Sequence, residues 1–505
     1  MGRKVGTVLS FITILLELFT ALFLTPFIIR SFGQAEYGVY SLVLSITSYL
    51  TLLDMGVGNS VTRFMSKYRA TGEYGEQRRF LGITTVYYVA IAIIVLLVGA
   101  AIIAVFPVAF SKGLTPSEVE LAKNLLVITT LNVSITIGTS GFFYTVISYE
   151  NFTVSKGVAI LGTVARIIAS FIALSCGAKS VGIVAINTIT GFITRLIVVL
   201  YVLLRMKLRP TLKNIRFSQI REIVAYSAII FLQMIATQIN SMADQILIGM
   251  FTVASSGILA VYGVGSLIGQ YFQIIGSALN GTLMPGVVKT VETDGTAKTL
   301  QREMTRIGRL NFAFIGIIWV TILVFGEQFV ILWSGPENAE AYIVALLLSF
   351  PFIFILTQSI GTQILWAKNK HKTQAYLKLG IVLLNVVLTI FLIRWNPLLG
   401  ATIGTFISLM LGDVLVMQIV FKKDIGIKLS EYYRNLFKGI LPSLLISLVI
   451  GFLIRYVGLS GWIGLGVNCS VMTASYLVCM MCFGFNNDEK LMIRKMKAKI
   501  ICKKR

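Results

Sequence analysis

Apolar runs of about twenty residues recur along nearly the whole chain, separated by short polar segments. At 1.5 Å per helical residue, such a run spans a hydrocarbon core about 30 Å thick. The runs lack the alternation of polar and apolar residues that a transmembrane barrel strand shows. The pattern therefore predicts an all-α polytopic membrane protein. The roughly fourteen predicted spans are 7–29, 38–60, 81–107, 121–148, 155–176, 180–204, 222–250, 257–283, 310–333, 341–366, 374–393, 399–421, 437–454 and 461–485.

Basic residues concentrate in alternate loops between these spans. The chain has 44 Lys and Arg against 21 Asp and Glu, a net charge of +23, although only 13% of its residues are charged. Such a distribution follows the positive-inside rule rather than the pattern of a nucleic-acid-binding surface. We therefore expect both termini to be cytoplasmic. The basic loops and the basic tail after Asn486 are expected to attract anionic lipids.

Short sequences recur at a nearly constant spacing. The separation between Asn151 and Asn369 equals the separation between Gly182 and Gly400. Two halves of six spans each would be parallel repeats about an axis along the membrane normal. The spacing predicts an N-terminal six-helix lobe, a C-terminal six-helix lobe, and two further helices with a basic cytoplasmic tail. The predicted boundaries are 1–215, 216–425 and 426–505.

Two arginines lie deep inside predicted spans. Arg166 is near the middle of span 155–176, and Arg195 is about ten residues from the cytoplasmic end of span 180–204. Facing lipid, each would cost roughly 2.5–3.5 kcal/mol on insertion scales. One interpretation is a cationic, water-filled cavity that receives an anion, because the planar guanidinium group matches phosphate oxygens. The other is a structural ion pair with Glu17 or Asp54.

Four acidic residues also lie within spans: Glu17, Asp54, Asp244 and Asp413. They are candidates for ion coupling or for balancing the arginines. Asp244 is expected to form hydrogen bonds between helices, with coordination of a coupling cation as the alternative. Asp413 follows Arg195 at the same separation as the repeated sequences, so the two are expected at equivalent places in the two halves.

Catalytic and cofactor motifs are absent from the sequence. The only G-x-G pattern of note, "GVGSLIG" at 263–269, lies within a span rather than after a strand. The sequence has no phosphate-binding P-loop motif, and the single His371 cannot form a metal site. We expect a transporter without cofactor or metal rather than an enzyme.

Several stretches resemble the polysaccharide and O-antigen flippases of the multidrug/oligosaccharidyl-lipid/polysaccharide exporter superfamily. They are "TPFIIRSFGQAEYGVYSL" at 25–42, "LLDMGVGNSVTRFMSKY" at 52–68, "SMADQILIGMF" at 241–251 and "LLGATIGTFISLMLGD" at 398–413. Each motif is loose, but their order and spacing are specific.

This resemblance implies a flippase of the bacterial inner membrane. Its substrate would be a polyprenyl-diphosphate-linked oligosaccharide, moved from the inner to the outer leaflet by alternating access through a cationic central cavity. Arg166 and Arg195 would line that cavity. Arg30 would guide the diphosphate outward, or would anchor a helix end at the interface. Glycan polymerase or ligase proteins are possible partners.

Two other functions stay open at this stage. A drug or organic-cation antiporter of the same superfamily would use the acidic residues rather than the arginines. A membrane scaffold for glycan assembly would not transport, and its charges would neutralise one another.

Overall fold

The computed structural model describes residues 2–212, 217–293, 295–368, 370–456, 458–486 and 489–490. Within these ranges the regular structure is entirely helical, which confirms the predicted all-α polytopic class. Most of the basic tail, which we expect to contact anionic lipid, lies outside the described residues.

The α-helices are α1 (Gly2–Phe19), α2 (Thr25–Phe32), α3 (Gln34–Leu50), α4 (Val57–Ala70), α5 (Tyr74–Ala109), α6 (Pro116–Gly138), α7 (Ser140–Ser148), α8 (Phe152–Ser175), α9 (Ser180–Leu200), α10 (Phe217–Phe251), α11 (Ser256–Thr293), α12 (Ala297–Ser334), α13 (Ala341–Thr357), α14 (Ser359–Ala367), α15 (His371–Ile393), α16 (Pro397–Leu409), α17 (Met417–Val420), α18 (Leu429–Phe437), α19 (Ile440–Tyr456) and α20 (Gly461–Cys479). Five-residue or longer π-helical segments continue several of them, at Thr20–Leu24, Tyr201–Arg205, Met410–Val416, Phe421–Ile425 and Met480–Gly484. Short 3₁₀ turns lie at Thr51–Asp54 and Pro336–Asn338.

The described residues contain 11 helices long and apolar enough to cross a membrane, or up to 13 when two bent helix pairs each count as one span. The bent pairs are α13 with α14, at 47°, and α18 with α19, at 44°. The predicted span 222–250 falls on α10, where many side chains lie outside the described residues. The count of fourteen therefore stays a prediction.

Helix boundaries repeat at a constant spacing along the chain. The short helices α7 and α14 begin at Ser140 and Ser359 and both have nine residues. Both follow a one-residue break, at Thr139 and Gln358, where the sequence pattern predicted single unbroken spans. The helices that come next, α8 and α15, begin at Phe152 and His371. All three pairs have the same separation in sequence, as expected for an internal repeat. The division into two six-helix lobes stays a prediction.

The chain divides into two compact units. Unit 1 comprises Met1–Gly263 and Thr389–Ala401, and unit 2 comprises Val264–Leu388 and Thr402–Arg505. The core of unit 1 lies among α4, α5, α7 and the end of α9, where Leu81, Tyr88 and Val202 are fully buried. The core of unit 2 lies around α12, α14 and α18–α20, where Ile360 and Phe421 are fully buried.

A buried ion pair fixes the C-terminal helices of unit 2. Arg309 on α12 is 2% exposed, and its Nε donates to Glu489 Oε1 at 2.7 Å. The same guanidinium donates to the carbonyls of Asn435 at 2.6 Å, Lys438 at 2.9 Å and Gly484 at 2.9 Å. These carbonyls belong to the end of α18 and to the segment after α20. One arginine therefore satisfies the backbone at two chain turns and holds both against α12.

We predict that Arg309→Met lowers the free energy of unfolding by about 3–5 kcal/mol, the usual cost of removing one partner of a buried ion pair and leaving the other charge uncompensated. Glu489→Gln should cost less, because the arginine keeps its three backbone carbonyls. Thermal unfolding midpoints of the purified protein measure both effects.

Arg306→Met is the matched control. Arg306 lies one turn earlier on α12, has a 54% exposed side chain and pairs with Glu303 at 3.7 Å. Exposed pairs of this kind contribute about 0–1 kcal/mol. Equal losses of stability in Arg306→Met and Arg309→Met would contradict the anchoring role.

Candidate functional site

A break in the second predicted span places a carboxylate inside unit 1. After α3 ends at Leu50, a 3₁₀ turn ends at Asp54, and Met55 and Gly56 adopt left-handed conformations with φ of 53° and 68°. Helix α4 then begins at Val57. The first N–H groups of a helix are unpaired and carry partial positive charge. Asp54 therefore lies just before a helix start that favours its negative charge.

Arg195 on α9 lies near enough to this carboxylate to interact with it electrostatically, without a direct hydrogen bond to it. Its guanidinium carbon lies 4.6 Å from the centroid of the Phe143 ring on α7. It interacts electrostatically with Asp54 and with Tyr144. The side chain of Arg195 is half-buried, and its Nη1 is enclosed by protein. Stacking on an aromatic face and attraction to a carboxylate both stabilise the charge away from water.

Tyrosines surround the same carboxylate. Tyr87 and Tyr88 on α5 both interact electrostatically with Asp54, and their rings make an edge-on contact with centroids 5.3 Å apart. The Tyr144 ring packs directly against the backbone of Gly58, where a β-carbon would overlap it. Glycine at position 58 thus allows the ring to approach Asp54. We refer to Asp54, Tyr87, Tyr88, Phe143, Tyr144 and Arg195 as the Arg195 cluster.

The Arg195 cluster has unused hydrogen-bonding capacity. Among the described residues, Asp54 Oδ1, Arg195 Nη1 and the Tyr87 hydroxyl are buried without a hydrogen-bond partner. Buried polar atoms are usually paired, and an unpaired one costs about 1–3 kcal/mol. Such atoms in one cluster provide both donors and an acceptor for a polar ligand or for water.

Arg166 lies on α8, which packs against the helix that carries Arg195. Helices α8 and α9 pack closely where Thr194 contacts Gly162, so that Thr194 fills the space of a β-carbon there. Arg166 is one turn beyond Gly162, and Arg195 follows Thr194. The two arginines are therefore separated by roughly 7 Å along the helix axes.

The side chain of Arg166 is half-buried. It makes no hydrogen bond or ion pair to another residue of the described ranges. The same sequence offset that relates α7 to α14 relates Arg166 to Asn385. Asn385 is a buried neutral residue whose side-chain amide donates to Thr405 Oγ1 at 3.1 Å. The cationic character at this level is therefore specific to the N-terminal half of the sequence.

Two other predicted residues lie on the first helices. Glu17 is exposed on α1. Arg30 is exposed in the last turn of α2, where a cation is favoured by the helix dipole. Neither belongs to the Arg195 cluster, and their predicted roles stay proposals.

Asp244 on α10 is buried and hydrogen-bonded. It accepts from the Tyr262 hydroxyl, and its Oδ1 accepts from Thr389 Oγ1 at 3.2 Å. One residue further on, Gln245 accepts from Ser41 Oγ at 3.1 Å. The polar side chains of α10 thus bind neighbouring helices. A role for Asp244 in ion coupling stays a proposal.

Asp413 lies in the π-helical segment Met410–Val416 of unit 2. Its backbone carbonyl accepts from Gln358 Nε2 at 2.6 Å, at the break between α13 and α14. Its carboxylate interacts electrostatically with Lys378 on α15. The nearest basic influence on Asp413 therefore comes from its own unit, without a direct ion pair. Within the described ranges, no group of three or more His, Cys, Asp and Glu side chains is arranged as a metal site.

The sequence pattern identified the charges but missed their neighbours. Tyr87, Tyr88, Phe143 and Tyr144 look like ordinary span residues. One available signal was the "YY" pair within an otherwise apolar run at 86–98. Hydroxyl groups in mid-span usually face protein or water rather than lipid.

A family model described as "Polysaccharide biosynthesis protein" matches residues 4–291, which is more than half of the chain and includes the whole Arg195 cluster. The chain belongs to this polysaccharide biosynthesis family. The match confirms the family resemblance of the sequence motifs.

A curated relative and two solved structures are similar over most of this family member. The relative, from Bacillus subtilis (strain 168), is named "Uncharacterized membrane protein EpsK" and is 20% identical over 511 residues, covering 95% of each chain. The lipid II flippase MurJ in an inward closed conformation has a TM-score of 0.69 and 14% identity, covering 94% of this chain and 98% of MurJ. An inward-facing multidrug resistance MATE transporter of the MOP superfamily has a TM-score of 0.67 and 13% identity, covering 81% of this chain and 94% of the transporter chain.

These similarities confirm the polytopic fold that MurJ and the MATE transporters share. The chain is a multi-pass membrane protein of the polysaccharide biosynthesis family. Of the two solved structures, one is named as a flippase and the other as a transporter.

We predict that Gly58→Ala displaces the Tyr144 ring and lowers the free energy of unfolding by about 1–3 kcal/mol, the usual cost of overpacking a core. Thermal unfolding midpoints measure the change. Gly157→Ala on α8 is the matched control, because a β-carbon there meets nothing within 4 Å. Helix propensity alone should then stabilise that variant by about 0.5–1 kcal/mol. Similar stability changes in the two variants would contradict the close contact at Gly58.

Proposed function

We propose that this protein is a flippase for a polyprenyl-diphosphate-linked oligosaccharide. The lipid moves from the inner to the outer leaflet by alternating access, and its diphosphate binds at Arg166 and Arg195. The observation that carries this proposal is the pair of arginines roughly 7 Å apart along two packed helices, one of them with an unpaired buried Nη1.

The spacing suits the ligand. A diphosphate carries two anionic groups joined through one oxygen, so that two guanidinium groups at neighbouring levels can each contact one phosphate. Charge-assisted hydrogen bonds of this type are short and about twice as strong as neutral ones. Arg166 has no competing partner among the described residues, and so its full donor set is available to the ligand.

Asp54 keeps Arg195 in position before the lipid binds. An unpaired arginine within the membrane would be strongly unfavourable, and the nearby carboxylate offsets part of that cost. The diphosphate competes with Asp54 for the guanidinium. Such competition lets the lipid bind and also leave, which transport requires.

The remaining features of the proposal concern the cellular setting. The basic loops place both termini on the cytoplasmic side of a bacterial inner membrane, where anionic lipids contact them. Arg30 lies at the end of α2 that would face the outer side of the membrane. There it contacts the diphosphate as the lipid leaves the protein. Glycan polymerase or ligase proteins receive the product on the outer side.

The test is flipping of a fluorescent polyprenyl-diphosphate glycan in liposomes, read by quenching of the dye in the outer leaflet. We predict that Arg166→Gln and Arg195→Gln each lower the initial rate by about 10- to 100-fold, as expected for the loss of about 1.5–3 kcal/mol of charge-assisted bonding.

Arg205→Gln is the matched control, because Arg205 is exposed at the end of the same helical rod as Arg195. It should retain the wild-type rate. Wild-type rates in correctly folded Arg166→Gln and Arg195→Gln would exclude these arginines as the diphosphate site.

The second candidate function is an organic-cation antiporter, and the buried carboxylate of Asp54 is the observation that favours it. Asp54→Asn separates the two functions. A cation antiporter would lose transport, because its cation needs the negative charge. A diphosphate flippase should still bind the lipid-linked glycan and should flip it more slowly rather than not at all, because the arginines make the ligand contacts and Asp54 only competes for one of them. Transport of ethidium and of the lipid-linked glycan, measured in the same liposomes, decides between them.

A further inference from the structure

A second polar pocket lies at one end of unit 1, away from the Arg195 cluster. Its volume is about 390 Å³, and it opens to the surface. Small-molecule sites typically fall between about 300 and 1,000 Å³. The lining residues come from the start of α5, the α7–α8 connection and the end of α9, and they are Tyr74, Tyr149, Glu150, Asn151, Thr153, Tyr201, Met206 and Leu208. By the positive-inside rule this end is cytoplasmic.

Three tyrosines dominate the pocket, and the hydroxyl groups of two of them are positioned by hydrogen bonds. Tyr149 donates to Gln77 Oε1, and Asn151 Nδ2 donates to the Tyr201 hydroxyl at 2.7 Å. Tyr201 therefore retains its own hydroxyl hydrogen for a ligand, and Tyr149 retains acceptor lone pairs. Burial raises the pKa of the Tyr149 phenol still further above neutral pH, so this hydroxyl carries its proton. Tyr74, by contrast, is 68% exposed at the rim.

The backbone on both sides of the pocket adopts an uncommon conformation. Glu150 and Lys207 are both non-glycine residues with φ of 55°. Glu150 follows α7, and Lys207 lies between the lining residues Met206 and Leu208. Residues with large side chains in the left-handed region are uncommon outside functional segments and helix ends. Here the conformation directs both chain turns around the pocket.

The charges in and near the pocket discriminate between ligand classes. Glu150 is the charged residue of the lining, so an anion is disfavoured. Arg69 lies 4.8 Å from the centroid of the Tyr149 ring and disfavours an organic cation on that ring. A neutral polyhydroxylated ligand avoids both repulsions. Its hydroxyl groups both donate and accept, which matches the mixed capacity of Tyr149, Tyr201 and Thr153. Its apolar ring faces can stack on the aromatic side chains.

We infer that this pocket binds a sugar ring, namely a residue of the glycan carried by the transported lipid. The inference rests on the proposed function. Tyr201 follows Arg195 by six residues, a separation of roughly 9 Å along the helix. A diphosphate bound at Arg195 would therefore place the first sugars towards Tyr201 and the cytoplasmic end of unit 1. The pocket selects the glycan, whereas the arginines bind the part common to all polyprenyl-diphosphate lipids.

The test is saturation-transfer NMR on the full-length protein in lipid nanodiscs prepared without glycoside detergent. The probes are the methyl glycosides of glucose, galactose and N-acetylglucosamine, with inorganic pyrophosphate and choline as the charged alternatives. We expect at least one glycoside to receive saturation from the wild-type protein. Tyr74→Ala should reduce that signal about five-fold, the effect of losing one aromatic contact. Tyr201→Phe should reduce it about three- to five-fold, the effect of one hydrogen bond.

Tyr376→Ala is the matched control, because Tyr376 is 69% exposed on α15 in unit 2 and does not line the pocket. It should leave the signal unchanged. No glycoside signal from the wild type, or a signal that Tyr74→Ala leaves intact, would overturn the inference. Binding of choline or pyrophosphate alone, lost in Tyr74→Ala, would overturn it as well.

Flipping assays separate this inference from the proposed function. If the wild-type protein binds a glycoside through Tyr74 but does not flip the polyprenyl-diphosphate glycan, the pocket stands and the flippase proposal fails. If it flips the lipid with unchanged rate in Tyr74→Ala and Tyr201→Phe, and no glycoside binds, the pocket inference fails alone.

Discussion

A permanent charge in the middle of a membrane needs polar neighbours, and the arrangement of unit 1 follows from this requirement. Arg195 meets part of it through the Phe143 ring and the charge of Asp54, and its Nη1 has no hydrogen-bond partner. Asp54 in turn depends on a break between α3 and α4, which brings a helix start and its partial positive charge to mid-span. Without the break, the carboxylate would lie farther from the arginine. Burial of each charge in the membrane would then be more unfavourable.

The repeated helices share a backbone pattern, and the charges distinguish the two copies. The breaks before α7 and α14 recur at the spacing of the internal repeat, yet Arg166 corresponds to the neutral Asn385. In unit 2 the carboxylate of Asp413 faces Lys378 instead of an arginine. The helix boundaries are thus alike in both copies while the polar side chains differ. Anion recognition is accordingly proposed for the N-terminal copy.

The sequence pattern predicted what depends on periodicity and missed what depends on tertiary contacts. Apolar runs of membrane length predicted most of the helices, and the repeated sequences predicted that the starts of α8 and α15 correspond. Breaks at Thr51–Asp54, Thr139 and Gln358 were missed, because each interrupts an apolar run without a proline at the break. The tyrosines around Asp54 and the Arg309–Glu489 pair were missed as well, since they join residues far apart in sequence. Charges inside spans were found directly, because the membrane makes them conspicuous.

Direct binding of a short polyprenyl diphosphate tests the central claim, that the arginines of unit 1 recognise the diphosphate. Titration of the purified protein with farnesyl diphosphate, compared with farnesol of the same chain length, isolates the contribution of the phosphates. The account predicts that the diphosphate binds at least about 10-fold more tightly and that Arg166→Gln removes most of this difference. Equal affinities for the diphosphate and the alcohol, or a preference that Arg166→Gln leaves unchanged, would contradict it.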